Sequence, residues 1–317
     1  MTPTNTRRDW ALDWLTALLP VAMVCVFSYG WAGVVAALTA WGGYLAASVL
    51  CNLVTGRETD RDTVWDSVAL SVLVALCLPP AAAVWLAPLA GGIVGALTVL
   101  GGRVRELAGA HRLPLCHPVA VAVVTLRLLV PAMVDGYILP MQWRGLDAIS
   151  AATPLTAFDG GQIAHATWHL LFGVRGGAMG EGCVLAVLLG ALFLLLRRRV
   201  RLIAPACMLA TVALLSWIVW GLPLYALLAG STLPAAVLLA DRRYAPRHMA
   251  AQAIAGVVAG GVTVWMRASS GWSEGTAVGL MAAAAAVYGC RWAWHFANKW
   301  GLIDRAKDIF AKIKNKG

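Results

Sequence analysis

The forty residues "DSVALSVLVALCLPPAAAVWLAPLAGGIVGALTVLGGRVR" run from Asp66 to Arg105. One acid opens the stretch, Pro79-Pro80 divides it, and two arginines close it. Between these marks lie two almost uninterrupted apolar runs, 64–78 and 82–101. A bilayer core about 30 Å thick needs about 20 apolar helical residues to cross it. A soluble chain this apolar would have nowhere to hide both runs. The stretch therefore predicts two membrane helices.

The same reading extends outward. The 317 residues are 60% hydrophobic and 13% charged, against about 25% charged in ordinary soluble domains. Candidate spans fall at 11–29, 31–54, 64–78, 82–101, 114–134, 181–196, 202–220, 222–240, 250–267 and 275–297. The fold class expected is an all-α polytopic membrane protein of about ten helices. Arg7 and Arg8 before the first run resemble a signal peptide, but no small-residue cleavage site follows, so this run is read as a retained helix. The net charge of +10 is explained by topology and not by nucleic acid. With both termini in the cytoplasm, twenty Lys and Arg fall in cytoplasmic segments. Only Arg144, Arg175 and Arg267 fall outside, with Arg127 and Arg291 inside spans. That asymmetry sets the orientation and sends the 135–180 loop outward. Fifteen tryptophans suit the headgroup level. Seven scattered cysteines form no C-x-x-C, so no disulfide frame or metal site is indicated.

Three spans depart from the pattern. Residues 64–78 and 181–196 are short, and 222–240 is interrupted by Gly230 and Pro234. Short or broken segments in two halves of a chain point to a site built at helix ends. A faint echo aligns the third span with the sixth, Asp66 with Glu181 and Pro88 with Pro205. An odd step reverses direction, so two inverted pseudo-repeats are expected. The division read is 1–134, a first half; 135–180, an outward loop; 181–297, a second half; and 298–317, a basic amphipathic tail. The tail sets Leu302, Ile303, Ala306, Phe310 and Ile313 on one face for the inner leaflet.

Polar residues in or beside spans are the candidate sites. Glu181 and Asp66 each read as an ion-path group or as a helix cap. Arg127, placed mid-span, needs a carboxylate or a bound anion. His165 and His169 share a helical face, but no third metal ligand lies nearby, so they read as a surface helix. The glycine-rich run around Arg175 has backbone N–H groups that suit a phosphate.

At "DAISAATPL", Asp147 to Leu155, the chain resembles the D subunit of the Rnf electron-transport complex and the B subunit of sodium-translocating NADH:quinone reductase. The family's segment D-G-x-S/T-G-A-T-P-L is matched by Asp147, Ser150, Ala152, Thr153, Pro154 and Leu155, with Ala148 and Ala151 where glycine is common. "DSVALSVLVALCLPP", "GGAMGEGCVLAVLLGALFLLLRR" and "SEGTAVGLM" also resemble family helices. Two motifs depart: N-P-x-N-P-A becomes Leu113 to Pro118, and A-T-D-P-V-T-S-P becomes Ala240 to Pro246, which brings in Arg242 and Arg243. The resemblance implies FMN joined through its phosphate to Thr153, with Asp147, Ser150, Ala152, Pro154, Arg175 and Glu181 around it. It leaves open a second, noncovalent flavin. It further implies no catalysis by the chain alone. Expected partners are the other membrane and soluble subunits of an Rnf-type complex, a flavin transferase for maturation, and the lipid bilayer of a bacterial inner membrane. The expected role is electron relay coupled to Na+ or H+ movement. A channel or secondary transporter of urea-channel-like fold, or a flavin-less scaffold of the same family, are the alternatives.

Overall fold

The computed structural model describes residues 7–56, 61–81, 83–107, 116–131, 137, 140, 171–172, 176–228, 230–272 and 275–299. Among these there are eleven helices and no strand. The first half holds α1 (Arg7–Tyr29), α2 (Ala32–Thr55), α3 (Arg61–Leu76), α4 (Ala83–Leu107) and α5 (Pro118–Leu129). The second holds α6 (Val184–Leu196), α7 (Ile203–Trp220), α8 (Pro223–Leu228), α9 (Thr232–Ala240), α10 (Met249–Ser270) and α11 (Gly275–Lys299). Five helices are long and apolar enough to cross a membrane: α1, α2, the Trp85–Val104 part of α4, α7 and α10. Side chains such as Val54, Trp85 and Trp31 lie exposed on this apolar exterior, as lipid contact requires. The chain is a multi-pass all-α membrane protein.

The contacts at helix ends fix the alternation of spans. At one end Arg7 donates to the Thr63 hydroxyl, Arg197 and Arg199 donate to Asp13, Arg243 donates to Asp66, and the His117 ring meets Tyr244. This is the basic end. At the other end Gly180 N–H donates to the Leu76 carbonyl at 2.6 Å and Met179 N–H to Leu78 at 3.1 Å. The Arg127 guanidinium lies there over the Trp272 ring.

Several expected spans are shorter than read. Among the described residues of the 114–134 span, α5 takes up twelve, with Pro118 at its first turn and the His117 ring accepting from Val119 N–H, and the helix is interrupted at Val130. The 181–196 span starts at Val184. The 222–240 span is two pieces, α8 and α9, broken beside Gly230 at φ 71°, a backbone setting that disfavours any other residue. Twelve helical residues rise only about 18 Å, so such pieces survive in a membrane only when surrounded by other helices.

Packing repeats at a step of five spans, with α8 and α9 together as the eighth. α2 lies along α4, and α7 lies along α10; α4 meets α5, and α10 meets α11; α1 meets α3, and α6 meets α9. The register is therefore first-to-sixth and not the third-to-sixth suggested by the sequence echo, though both steps are odd. Glycines repeat with it. A Cβ on Gly91 would run into the Ala40 carbonyl, and one on Gly95 would come within 2.6 Å of the Tyr44 carbonyl. On α10, Gly256 would meet Ala204 O and Gly260 would meet Met208 O. The same small-xxx-small spacing lets backbones touch in both halves.

Candidate functional site

At the middle of the bundle is a cavity of about 100 Å³. Its walls come from α1, α3, α5, α6, α9 and α11 through Trp14, Leu73, Val123, Leu194, Leu238 and Leu280. These helices are the step-of-five partners, first with sixth, third with eighth and fifth with tenth. The cavity thus sits where the two halves meet. Its polar groups gather at the end away from the arginines, where Glu181, Ser231 and Thr276 line it. Toward the basic end a second cavity, of about 40 Å³, is lined by Cys116, His117, Tyr244 and Ala245. Leu238 and Leu280 border both cavities. The wall between them is apolar, and it gives a hydrated cation no oxygens to replace its water shell.

The polar mouth depends on the broken helix. The Ser231 and Thr276 hydroxyls lie 2.5 Å apart. Thr232 Oγ1 donates to the Ala226 carbonyl at 3.0 Å, and buried Arg267 donates to both Thr232 Oγ1 at 3.0 Å and Ala226 O. The guanidinium answers a carbonyl that the break leaves at the end of α8, where an unmet acceptor would be costly. The count of basic residues along the sequence puts Arg267 in an outer loop. It is instead a buried residue of α10.

At the basic end a charged network crosses between the halves. Asp13, 6% exposed, accepts from Arg197 at 2.9 Å and from Arg199. Arg243 Nη2 donates to Asp66 Oδ2 at 2.5 Å. Asp241 is wholly buried just past α9 and accepts from the Trp10 indole N–H, 3.2 Å from each oxygen, and from Arg243 N–H at 3.0 Å. Burial pushes the Asp241 carboxyl up to about 6, and these donors and the Arg243 charge work against that rise.

The expected site residues are therefore dispersed. Asp66 is no helix cap, because α3 begins at Arg61 and Asp66 lies in its second turn, buried against Arg243. Glu181 is no cap either, since Cys183 holds that position in α6, and Glu181 lines the cavity mouth. Their bracketing of the echoed spans suggests a shared role at a pseudo-symmetric centre, but Asp66 and Glu181 stand at opposite ends of the bundle. Arg127 is in the last turn of α5 and not mid-span, with its guanidinium 5.4 Å from the centre of the Trp272 ring. Asp147, Ser150, Ala152, Thr153, Pro154, Arg175, His165, His169 and the 300–317 tail lie outside the described residues. Sequence reading missed Asp13, Trp10, Asp241, Arg243 and Arg267. Asp13 had a signal, an acid inside an apolar run. The others had none, since their partners are distant in the chain. Among the described residues no cluster of His, Cys, Asp or Glu suits a metal.

The chain is 30% identical over 311 residues to the D subunit of the ion-translocating oxidoreductase complex of Halorhodospira halophila, covering 84% of each protein. It is 26% identical over 274 residues to the D subunit of the Na(+)-translocating ferredoxin:NAD(+) oxidoreductase complex of Acetobacterium woodii, covering 84% of this chain and 82% of that one. It is 25% identical over 287 residues to the proton-translocating counterpart of Clostridium ljungdahlii, covering 84% and 83%. Residues 2–287 match one family along nearly the whole bundle. The chain belongs to the NQR2, RnfD, RnfE family.

Proposed function

We propose that this chain is the D-type membrane subunit of an ion-translocating ferredoxin:NAD oxidoreductase complex in a bacterial inner membrane. It would carry FMN esterified to Thr153 and couple electron relay to Na+ or H+ movement. The observation that carries this reading is the family match over residues 2–287, with relatives named as the D subunits of such complexes. The Thr153-Pro154 segment adds to it.

The bundle suits a redox group tethered at one end. Both attachments of the 141–170 segment, the end of α5 and the turn before α6, lie opposite the arginines. By the distribution of arginines that end is periplasmic, and the basic end with both termini is cytoplasmic. Thr153 supplies its Oγ1 to the ester bond with the FMN phosphate, with a net loss of one water. Pro154 biases Thr153 to an extended backbone and keeps its hydroxyl clear of a helix. Arg175 offers the phosphate a countercharge. The flavin, when bound, supplies the electron chemistry, and the protein supplies position and electrostatics. Glu181 puts a carboxylate at the mouth of the central cavity on the same side. Other subunits of the complex provide the donor and acceptor, and a flavin transferase performs the attachment.

Denaturing gels of the chain, made in a host with the transferase, test the reading. A fluorescent band that disappears in Thr153→Ala is expected, with an intact mass raised by one FMN less one water. A non-fluorescent wild-type band of unmodified mass would leave a flavin-free scaffold or channel.

A further inference from the structure

Two groups of the first half hold one guanidinium of the second, and a third, Asp241, is held by the backbone of the same arginine. Asp66, 1% exposed, comes from α3, Trp10 from α1, and Asp241, 0% exposed, from the turn after α9. Arg243 Nη2 is 2.5 Å from Asp66 Oδ2, and its central carbon is 4.6 Å from the middle of the Trp10 ring. The backbone of the same residue holds Asp241. Carboxylate on one side and aromatic face on another are the two surfaces that hold an organic or alkali cation.

We propose that Arg243 is a built-in cation, filling the cage between the Asp66 carboxylate and the Trp10 ring so that this chain loads no mobile monovalent cation there. Charge and exposure carry the argument. Arg243 is the hydrogen-bond donor to Asp66 among the described residues, and Asp66 Oδ1 accepts none. A buried carboxylate so held depends on that one guanidinium. Asp66 is only 1% exposed and Arg243 Nη1 is itself buried, so the paired groups are sealed from water at their contact. A cation arriving from the basic end would have to displace the guanidinium from Asp66. The inference extends the proposed ion coupling by removing Asp66 as an entry point. It does not depend on flavin at Thr153.

The test follows thermal unfolding of the full chain in detergent, in NaCl, KCl or choline chloride at equal ionic strength. Wild type is expected to unfold at one midpoint in all three. Arg243→Gln is expected to lose several degrees in choline chloride and regain them, saturably, with Na+ or with added methylguanidinium. Arg243→Lys should stay close to wild type and insensitive to the cation. A wild-type midpoint that rises saturably with Na+ and stops doing so in Asp66→Asn would overturn the proposal, as would an Arg243→Gln variant as stable as wild type in choline chloride. If Arg243→Gln does not accumulate, the double variant Asp66→Asn/Arg243→Gln decides. A folded double variant supports the cage. Failure of the double variant as well overturns it, because the arginine would then be needed for packing and not for charge.

Discussion

Asp13 joins two arginines that the chain places more than 180 residues away. Its burial makes the carboxylate dependent on them, and Arg199, with 12% of its side chain exposed, depends on it in turn. Asp13→Asn keeps the shape and removes the charge. It is expected to cost about 1.5–3 kcal/mol, the range for hydrogen bonds to charged groups, read as a lower unfolding midpoint in detergent. Asp241 gives a pH prediction. Its carboxyl is raised by burial to about 6, so the folded chain holds the proton more tightly than the unfolded chain. Its contribution to stability is therefore present at low pH and is lost as pH rises through the window from about 4 to 6. Arg243 and Trp10 face the group, and Asp66 lies near enough to raise it further. Midpoints measured from pH 4.5 to 7.5 should shift in favour of Asp241→Asn across that window and run parallel to wild type above it. A constant offset across the whole range would remove Asp241 as the titrating group. At this scale Thr153 stands out in the sequence only through its resemblance to a motif of immediate neighbours, and it lies outside the described residues. Arg267 was not legible, since its partners Ala226 and Thr232 are 41 and 35 residues away.

Among elements, the pairings of α2 with α4 and of α7 with α10 depend on glycine. A helix pair in lipid gains little from hydrophobicity and depends on close backbone contact. Gly91→Leu and Gly256→Leu each force a side chain into a carbonyl of the facing helix. Each is expected to cost at least about 1–3 kcal/mol, the usual penalty for overpacking, and to lower the yield of monodisperse protein in size-exclusion chromatography. Gly42→Leu and Gly261→Leu, on the same helices as Gly43 and Gly260 but with no neighbour near the added carbon, serve as controls expected to behave as wild type. The long apolar helices were legible as runs of residues. The short ones were not bounded correctly, because α3 ends and α6 begins where turns and tertiary contacts set them and not where apolar residues stop. Leu78, for example, is apolar but already lies in a turn that receives the Met179 N–H.

For the whole molecule, orientation is the prediction. Cysteine placed at Gly145 should react with an impermeant maleimide added to spheroplasts, and cysteine placed at Asn315 should react only after lysis. The reverse pattern would invert the arrangement and put the Thr153 segment in the cytoplasm. The sequence by itself determined that the chain is an all-α membrane protein, roughly where its spans lie, and which short segment resembles a flavin attachment site. Hydrophobic length and local motifs are properties of neighbouring residues, so they survive without a fold. Only the tertiary structure decided that the halves repeat at a step of five around a shared cavity, that Glu181 and Asp66 stand at opposite ends, and that Arg243 holds Asp66 through its guanidinium and Asp241 through its backbone. Those facts are distances between residues far apart in the chain, and they exist only once backbone contact between helices has set which faces meet.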